Sequence, residues 1–236
     1  MKNGVLAPAG LIAHGRGEAF DYLLGERTTP PAEMAERVAA AALILAEKPV
    51  ISVNGNTAAL CAKPVVKLSR VTEAKLEVNM FHWSVKRGHK IVSVLKSAGA
   101  ENVLFGKEKR IPGIHHSRSH CTEEGIFSAD AVLVPLEDGD RANALVSMGK
   151  CVIAIDLNPL SRTAKSATIT VVDELTRAVR NITTHANKLK KNDITELRDI
   201  VFSFDNDKNL SDTLEFIRNR LTDLQALNSF TRVKTW

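Results

Sequence analysis

A chain of 236 residues with 44% hydrophobic and 25% charged residues can bury a sizeable core, which excludes intrinsic disorder and fibrous architecture as readings of the whole. Thirty-two Lys and Arg against 27 Asp and Glu leave a formal charge of +5, so an anionic partner is expected. Aromatics are only 5% and the one dense basic cluster is Lys188, Lys190 and Lys191, a pattern that suits an anionic small molecule better than nucleic acid.

The longest apolar run, Val38 to Ala46, falls well short of the roughly 20 residues that cross a bilayer. No h-region or small-residue cleavage site follows Lys2, and the expectation is a cytoplasmic protein without a membrane role. Cys61, Cys121 and Cys151 form no CxxC pair, which fits thiols in a reducing compartment and not a disulfide frame or a zinc knuckle.

In chain order, the first feature is Ala13 to Glu26, where His14, Arg16 and Glu18 crowd around Gly15 and Gly17. The two glycines imitate the start of a dinucleotide fingerprint, but Phe20 takes the third position and no strand precedes them, which disfavours a nicotinamide-type site. Close backbone approach to a ligand is the expected use of the glycines. His14, Arg16 and Glu18 are catalytic candidates.

A helix is expected over Pro31 to Glu47, opened by Pro30 and Pro31, with Met34, Val38, Ala41 and Leu45 on its buried face. Strands are expected at Pro49 to Val53, Lys75 to Asn79, Asn102 to Phe105, Ala131 to Pro135, Cys151 to Asp156 and Thr168 to Val172. Helices over Thr57 to Arg70, Val85 to Ala98, Asp140 to Met148 and Glu174 to Leu189 alternate with them. This is the pattern of βα units: an α/β fold with a mostly parallel sheet flanked by helices.

Ligands of open α/β sheets bind beyond the carboxyl ends of strands, so three loops matter most. Asn54-Gly55-Asn56-Thr57 is either an anion-binding turn with positive φ at a helix N-terminus or a structural turn capped by Asn56 or Thr57. Leu136 to Arg141 gathers Glu137, Asp138 and Asp140 with Arg141, which suits Mg²⁺ or an amine, or else a solvated turn with Asp140 as cap; Asp140 and Arg141 join the catalytic candidates. Asp156 to Thr163 offers an acid for a ribose hydroxyl and Arg162 for a phosphate, or a plain capped connection. His115, His116, His120 and Cys121 lack the spacing of a metal site and read as a solvated or substrate-facing loop, so no protein metal site is expected. No GxxxxGK[ST] is present.

Alternation stops after Leu189, and Lys190 to Asp193 reads as a break. Residues 1–189 are therefore expected to form the α/β unit and 190–236 a helical extension, whose stripe Leu210, Leu214, Ile217, Leu221, Leu224 packs on that unit or on a partner subunit.

Six segments carry a resemblance as well: Ala9 to Glu26, Val50 to Asn56 (VISVNGN), Leu76 to Phe81 (LEVNMF), Arg110 to Gly113 (RIPG), Val132 to Arg141 (VLVPLEDGDR) and Asp156 to Arg162 (DLNPLSR). In content and order they resemble the archaeal phosphopantothenate synthetases, also called 4-phosphopantoate–β-alanine ligases. That resemblance implies a Rossmann-like homodimer that spends ATP to join 4-phosphopantoate to β-alanine, releasing AMP and diphosphate, on the way to coenzyme A. It implies nucleotide contacts at Arg16, Asp156, Leu157, Asn158, Arg162, Thr163, Glu174 and Leu175, with Mg²⁺ on the phosphates. It also implies an arm ahead of Met1 bearing a His-Pro-Arg element and a further nucleotide-contacting Arg. With the third loop given to nucleotide, Asn54, Gly55, Asn56 and Thr57 are expected to take the phosphate of 4-phosphopantoate. The competing reading is a nucleotide-binding regulatory or interaction protein on the same fold.

Overall fold

Six short strands assemble side by side, all parallel: β1 (Pro49–Val53), β2 (Lys75–Val78), β3 (Val103–Leu104), β6 (Ala131–Pro135), β7 (Cys151–Ile155) and β8 (Ile169–Val171). Two further strands, β4 (Lys109–Arg110) and β5 (His120–Cys121), make a separate antiparallel hairpin. In this computed structural model, which describes residues 2–230, the sheet order is β3-β2-β1-β6-β7-β8. Counted along the chain, that is the 3-2-1-4-5-6 order of the Rossmann fold, with the switch point between β1 and β6. The expected α/β class and all six expected strands are present, two with the expected bounds and four shorter by one residue at one or both ends.

Successive strand residues face opposite layers, as the pleat requires. Ile51, Leu133, Ile153 and Ile155 point to a core with helices α2 (Pro30–Leu45), α3 (Gly55–Thr72), α4 (Val85–Ser97) and α7 (Leu175–Leu189). Val50, Val132, Val134, Val152 and Ala154 point the other way, to α5 (Gly139–Ser147) and the hairpin segment. The α2 helix buries an unbroken alanine-rich run, Val38 to Leu43, so the expected stripe is only partly correct: Met34 is exposed and Ala35 takes the inner position.

Two departures from the expected pattern position the site. Residues Pro8–Leu24 form a helix, α1, ended by Gly25 in the left-handed region (φ 88°). Gly15 and Gly17 thus sit in a helix interior, where each costs about 1 kcal/mol relative to alanine. Residues 106–128 fold over the sheet as the β4–β5 hairpin and a five-residue π turn, Glu123–Phe127, all anchored to Glu77 of β2. The buried Glu77 carboxylate accepts from Thr122 N (2.8 Å), Thr122 Oγ1 (2.9 Å) and Ile126 N (2.6 Å). Burial raises its pKa, and those three donors pull it back down.

Beyond Leu189, α8 (Ile194–Phe202) and α9 (Asn206–Phe230) return to the same body. Asn206 Oδ1 accepts from Thr170 N (2.8 Å) and Asn209 Nδ2 donates to Thr170 O (2.9 Å), so two amide side chains occupy the open edge of β8 in place of another strand. Leu210 and Ile217 are buried against Leu24, Leu157 and Val172, whereas Leu214, Leu221 and Leu224 of the same stripe remain exposed.

Candidate active site

A cleft of about 520 Å³ opens at the switch point, beyond the carboxyl ends of β1, β2, β6 and β7. That volume lies within the usual range of small-molecule sites. Its floor is a hydrogen-bonded join: Asn54, after β1, donates through Nδ2 to Pro135 O (2.9 Å) and Leu136 O (3.2 Å) after β6. Leu136 holds φ 52°, the left-handed region that costs a non-glycine residue on the order of 1–3 kcal/mol, and its N–H is fixed to Ile155 O. The strained bend turns Glu137 back over the sheet.

The first expected loop is a helix start. Asn54, and not Asn56 or Thr57, caps α3 by accepting from Thr57 N (3.0 Å), with φ −100°. The expected positive φ does not occur at Asn54, Gly55, Asn56 or Thr57. Gly55 is needed for room instead: a Cβ there would come within 2.6 Å of the Val5 carbonyl oxygen. Asn56 Nδ2 donates to Gly10 O (3.0 Å), which draws α1 across this turn. Asn54, Gly55 and Asn56 line the cleft; Thr57 is buried behind them.

The second and third loops pack on each other at Gly139, where a Cβ would meet Arg162 Cβ at 2.5 Å. Asp138, and not Asp140, caps α5 by accepting from Asp140 N. Asp156, largely buried, accepts from Asn158 N (2.9 Å) and Ser161 Oγ (2.6 Å); burial raises its pKa, while these bonds and the nearby charge of Arg16 lower it. Ser161 then caps the short helix α6 (Arg162–Ser166), and Thr163 Oγ1 donates to Glu137 O (3.0 Å).

The catalytic candidates divide by position. His14 and Arg16 line the cleft from α1 together with Gly17, and the free space around Gly15 and Gly17 leaves this helix face open. Glu18 stands behind His14, with 3.2 Å between Oε1 and Nε2. Asp140 pairs with Arg162 Nη1 (2.7 Å) at the rim. Arg141 lies wholly beneath the floor, bonded to Ser52 Oγ and to Glu137. Of the residues expected at nucleotide, Arg16, Asp156, Leu157, Asn158, Arg162 and Thr163 all line the cleft. Glu174 caps α7 through Thr176 N and Arg177 N, and Leu175 is buried after it, beyond the end of β8.

Two cleft arginines were not singled out in the sequence. Arg118, from the hairpin segment, is 7% exposed and reaches Glu137 from the side opposite Arg141, so one buried carboxylate serves two guanidiniums. Burial first, and then the neighbouring charge of Arg141, pull Arg118 down to about 9; burial pulls Arg141 down to about 10. Arg87, on α4, stands close enough to depress Arg118 further. Arg118 offers no sequence signal beyond its place in the run from His115 to Cys121. That run itself diverges: His116 faces Asp138 at 3.5 Å, His120 pairs with Arg110 in the hairpin, and burial pushes the Cys121 thiol up to about 12.

Strand order and cleft together define a Rossmann-type α/β protein with a cation-rich site at its switch point. The family model described as phosphopantothenate/pantothenate synthetase matches residues 31–220. A protein of Thermococcus onnurineus named 4-phosphopantoate–beta-alanine ligase is 54% identical over 95% of this chain and 87% of its own. Proteins of the same name from Thermococcus kodakarensis (53%, over 95% and 87%) and Methanosarcina mazei (50%, over 96% and 89%) are similar to it as well. The chain belongs to the phosphopantothenate/pantothenate synthetase family.

Proposed function

We propose that this chain is the ligase its relatives are named for, joining 4-phosphopantoate to β-alanine at the expense of ATP in coenzyme A biosynthesis. The observation that carries the reading is one cleft with two cationic flanks, Arg16 and Arg162 toward β7 and Arg118 and Arg87 toward β2, as a reaction between two phosphorylated substrates requires.

A carboxylate resists an amine until its oxygen becomes a good leaving group. In the proposed route a carboxylate oxygen of 4-phosphopantoate attacks the α-phosphorus of ATP, and the bond to diphosphate breaks. The β-alanine nitrogen then attacks the acyl carbon, the C–O bond leaves with AMP, and the nitrogen gives up a proton. Among the catalytic candidates, His14, held by Glu18 on the cleft wall, is assigned that proton. Positioning and charge stabilisation supply most of the acceleration, with no covalent enzyme intermediate.

Nucleotide is assigned to the β7 side: Asp156 and Asn158 to ribose or base, Leu157 and Thr163 beside them, Arg16 and Arg162 to phosphates, and Glu174 and Leu175 at the far end. The α3 N-terminus at Asn54, Gly55, Asn56 and Thr57 offers its dipole to the acid. The cleft carboxylates are already engaged: Glu137 by two arginines, Asp138 by Asp140 N and His116, Asp156 by Ser161 and Asn158. Mg²⁺ would accordingly rest on phosphate oxygens and water with few protein ligands, as this ion prefers, and shield the phosphate charge. A homodimer through the exposed Leu214, Leu221 and Leu224 of α9 belongs to the same proposal. Among the described residues no helix is long and apolar enough to cross a membrane.

The deciding experiment follows AMP release with ATP, 4-phosphopantoate and β-alanine present, and with each omitted in turn. The ligase reading expects AMP only when all three are present; folded protein that binds ATP but forms no AMP favours the regulatory alternative.

A further inference from the structure

The family description covers both phosphorylated and unphosphorylated products, so something in the cleft must decide which acid this chain accepts. Arg118 is placed to do so. Its backbone oxygen is fixed by Asn79 Nδ2 (3.3 Å) at the end of β2, and its guanidinium reaches Glu137 beyond β6. Because β1 lies between those strands, the side chain crosses the end of β1, over the start of α3. It lines the cleft although more than nine-tenths buried; its Nη1 is the atom paired with Glu137, and its Nε has no hydrogen-bond partner.

Buried N–H groups left unpaired are costly, and the cost is tolerable where a ligand regularly supplies the acceptors. Glu137 has no oxygen left for Nε, since Oε1 pairs with Nη1 of Arg118 and Oε2 with the fully buried Arg141. Arg87, half-buried on the same wall, spends its Nε on the thioether sulfur of Met80 (3.3 Å), a weak acceptor. Two such guanidiniums beside a helix N-terminus make a receptor for a compact oxyanion with several acceptor oxygens.

We propose that Arg118 and Arg87 bind the phosphate monoester of the acid substrate and so make this chain select the phosphorylated acid over the unphosphorylated one. This rests on the ligase reading and deepens it. The triphosphate of ATP carries the same chemistry, but its loops lie across the cleft at β7.

The test measures kcat and KM for 4-phosphopantoate and for pantoate, with saturating ATP and β-alanine, in the full chain and in Arg118→Gln, Arg118→Lys and Arg87→Gln. Both Gln variants are expected to lose roughly ten- to a hundredfold in kcat/KM for 4-phosphopantoate, with pantoate turnover and the KM for ATP unchanged. Lysine at 118 should recover part of the loss, because a point charge replaces a fork. An unchanged preference for 4-phosphopantoate in both Gln variants overturns the proposal while leaving the ligase reading intact. A rise in the KM for ATP alone overturns it too, and gives the arginines to the triphosphate. Arg87→Gln breaks no buried ion pair, so it decides the matter if Arg118→Gln does not fold. Should the wild-type chain form no AMP at all, the ligase reading fails separately. Calorimetric titration of 4-phosphopantoate into wild type and Arg87→Gln then judges the proposal: weaker binding to the variant supports it, and absent or equal binding overturns it.

Discussion

Two charge clusters in this molecule are mirror images in composition and opposites in satisfaction. At the cleft, Glu137 is shared by Arg118 and Arg141. Beyond the end of β8, Arg177 is shared by Asp21 of α1 (2.6 Å) and by Asp173. Burial works against the charge of Arg177, but its bonds to Asp21 and Asp173 more than offset that and hold its pKa above the ordinary value. Asp173 also accepts from Thr28 Oγ1 (2.6 Å), so this cluster closes on itself and ties α1 to α7. The cleft cluster does not close: both guanidiniums are pushed down and both keep buried N–H groups without partners. The complete cluster ties helices together, whereas Arg118 of the incomplete one faces the cleft.

The largest expected effect comes from removing the shared carboxylate. Glu137→Ala leaves two buried guanidiniums facing each other and should cost about 3–5 kcal/mol, a fall in Tm on the order of 10 °C by thermal denaturation. A fall of only a degree or two would show that water already compensates them.

Arg16→Ala comes next. Its side chain is exposed on α1 and lines the cleft, so it should forfeit about 1.5–3 kcal/mol of charge-assisted phosphate contact, roughly ten- to a hundredfold in ATP-dependent turnover, with Tm unchanged. Wild-type kinetics would remove Arg16 from the site. Asp156→Ala should raise the KM for ATP several-fold and leave that for β-alanine alone; the reverse selectivity would move this loop to the amine.

The remaining effect depends on pH and concerns Glu36, buried on α2 beside the closed cluster. Burial first, and then the charge of Asp173, raise its pKa from 4.5 to about 9. The folded state therefore binds a proton that the unfolded state releases above pH 4.5, so this group's contribution is intact in acid and is lost as pH rises toward 9. Glu36→Gln should flatten that slope, gaining on wild type between pH 6 and pH 9 by about 2–4 °C of Tm for each kcal/mol relieved. Parallel curves of Tm against pH would show that Glu36 is ionised in the folded protein.

The sequence made the sheet legible because each main strand is a short buried run of β-branched or apolar residues, and Val132 to Pro135 reads the same in any context. The cleft loops were legible as well, since strand ends in this topology are where ligands sit. Helix α1 is hidden in the sequence by Gly15 and Gly17, poor helix formers at its centre. The caps lie two or three residues from the expected ones because Asn, Asp and Thr crowd these turns. Arg118 and Arg87 had no local mark, as an arginine in a loop and one on a helix look like surface residues. Their roles come from Glu77 clamping residues 122–126 and from Leu136 bending Glu137 inward, contacts across tens of residues that no spacing rule encodes.

The contrast between the open and the closed cluster is tested most directly by comparing Arg118→Gln with Arg177→Gln, each by Tm with and without saturating 4-phosphopantoate. Arg118→Gln should melt near wild type, because Glu137 keeps Arg141, yet it should lose most of the ligand-induced rise, roughly 5–10 °C for wild type at a hundred times Kd. Arg177→Gln should melt well below wild type, because Asp21 and Asp173 are left buried without their cation, and should still be raised by the ligand. The opposite pattern, with Arg118→Gln unstable but responsive and Arg177→Gln stable but unresponsive, would contradict the account.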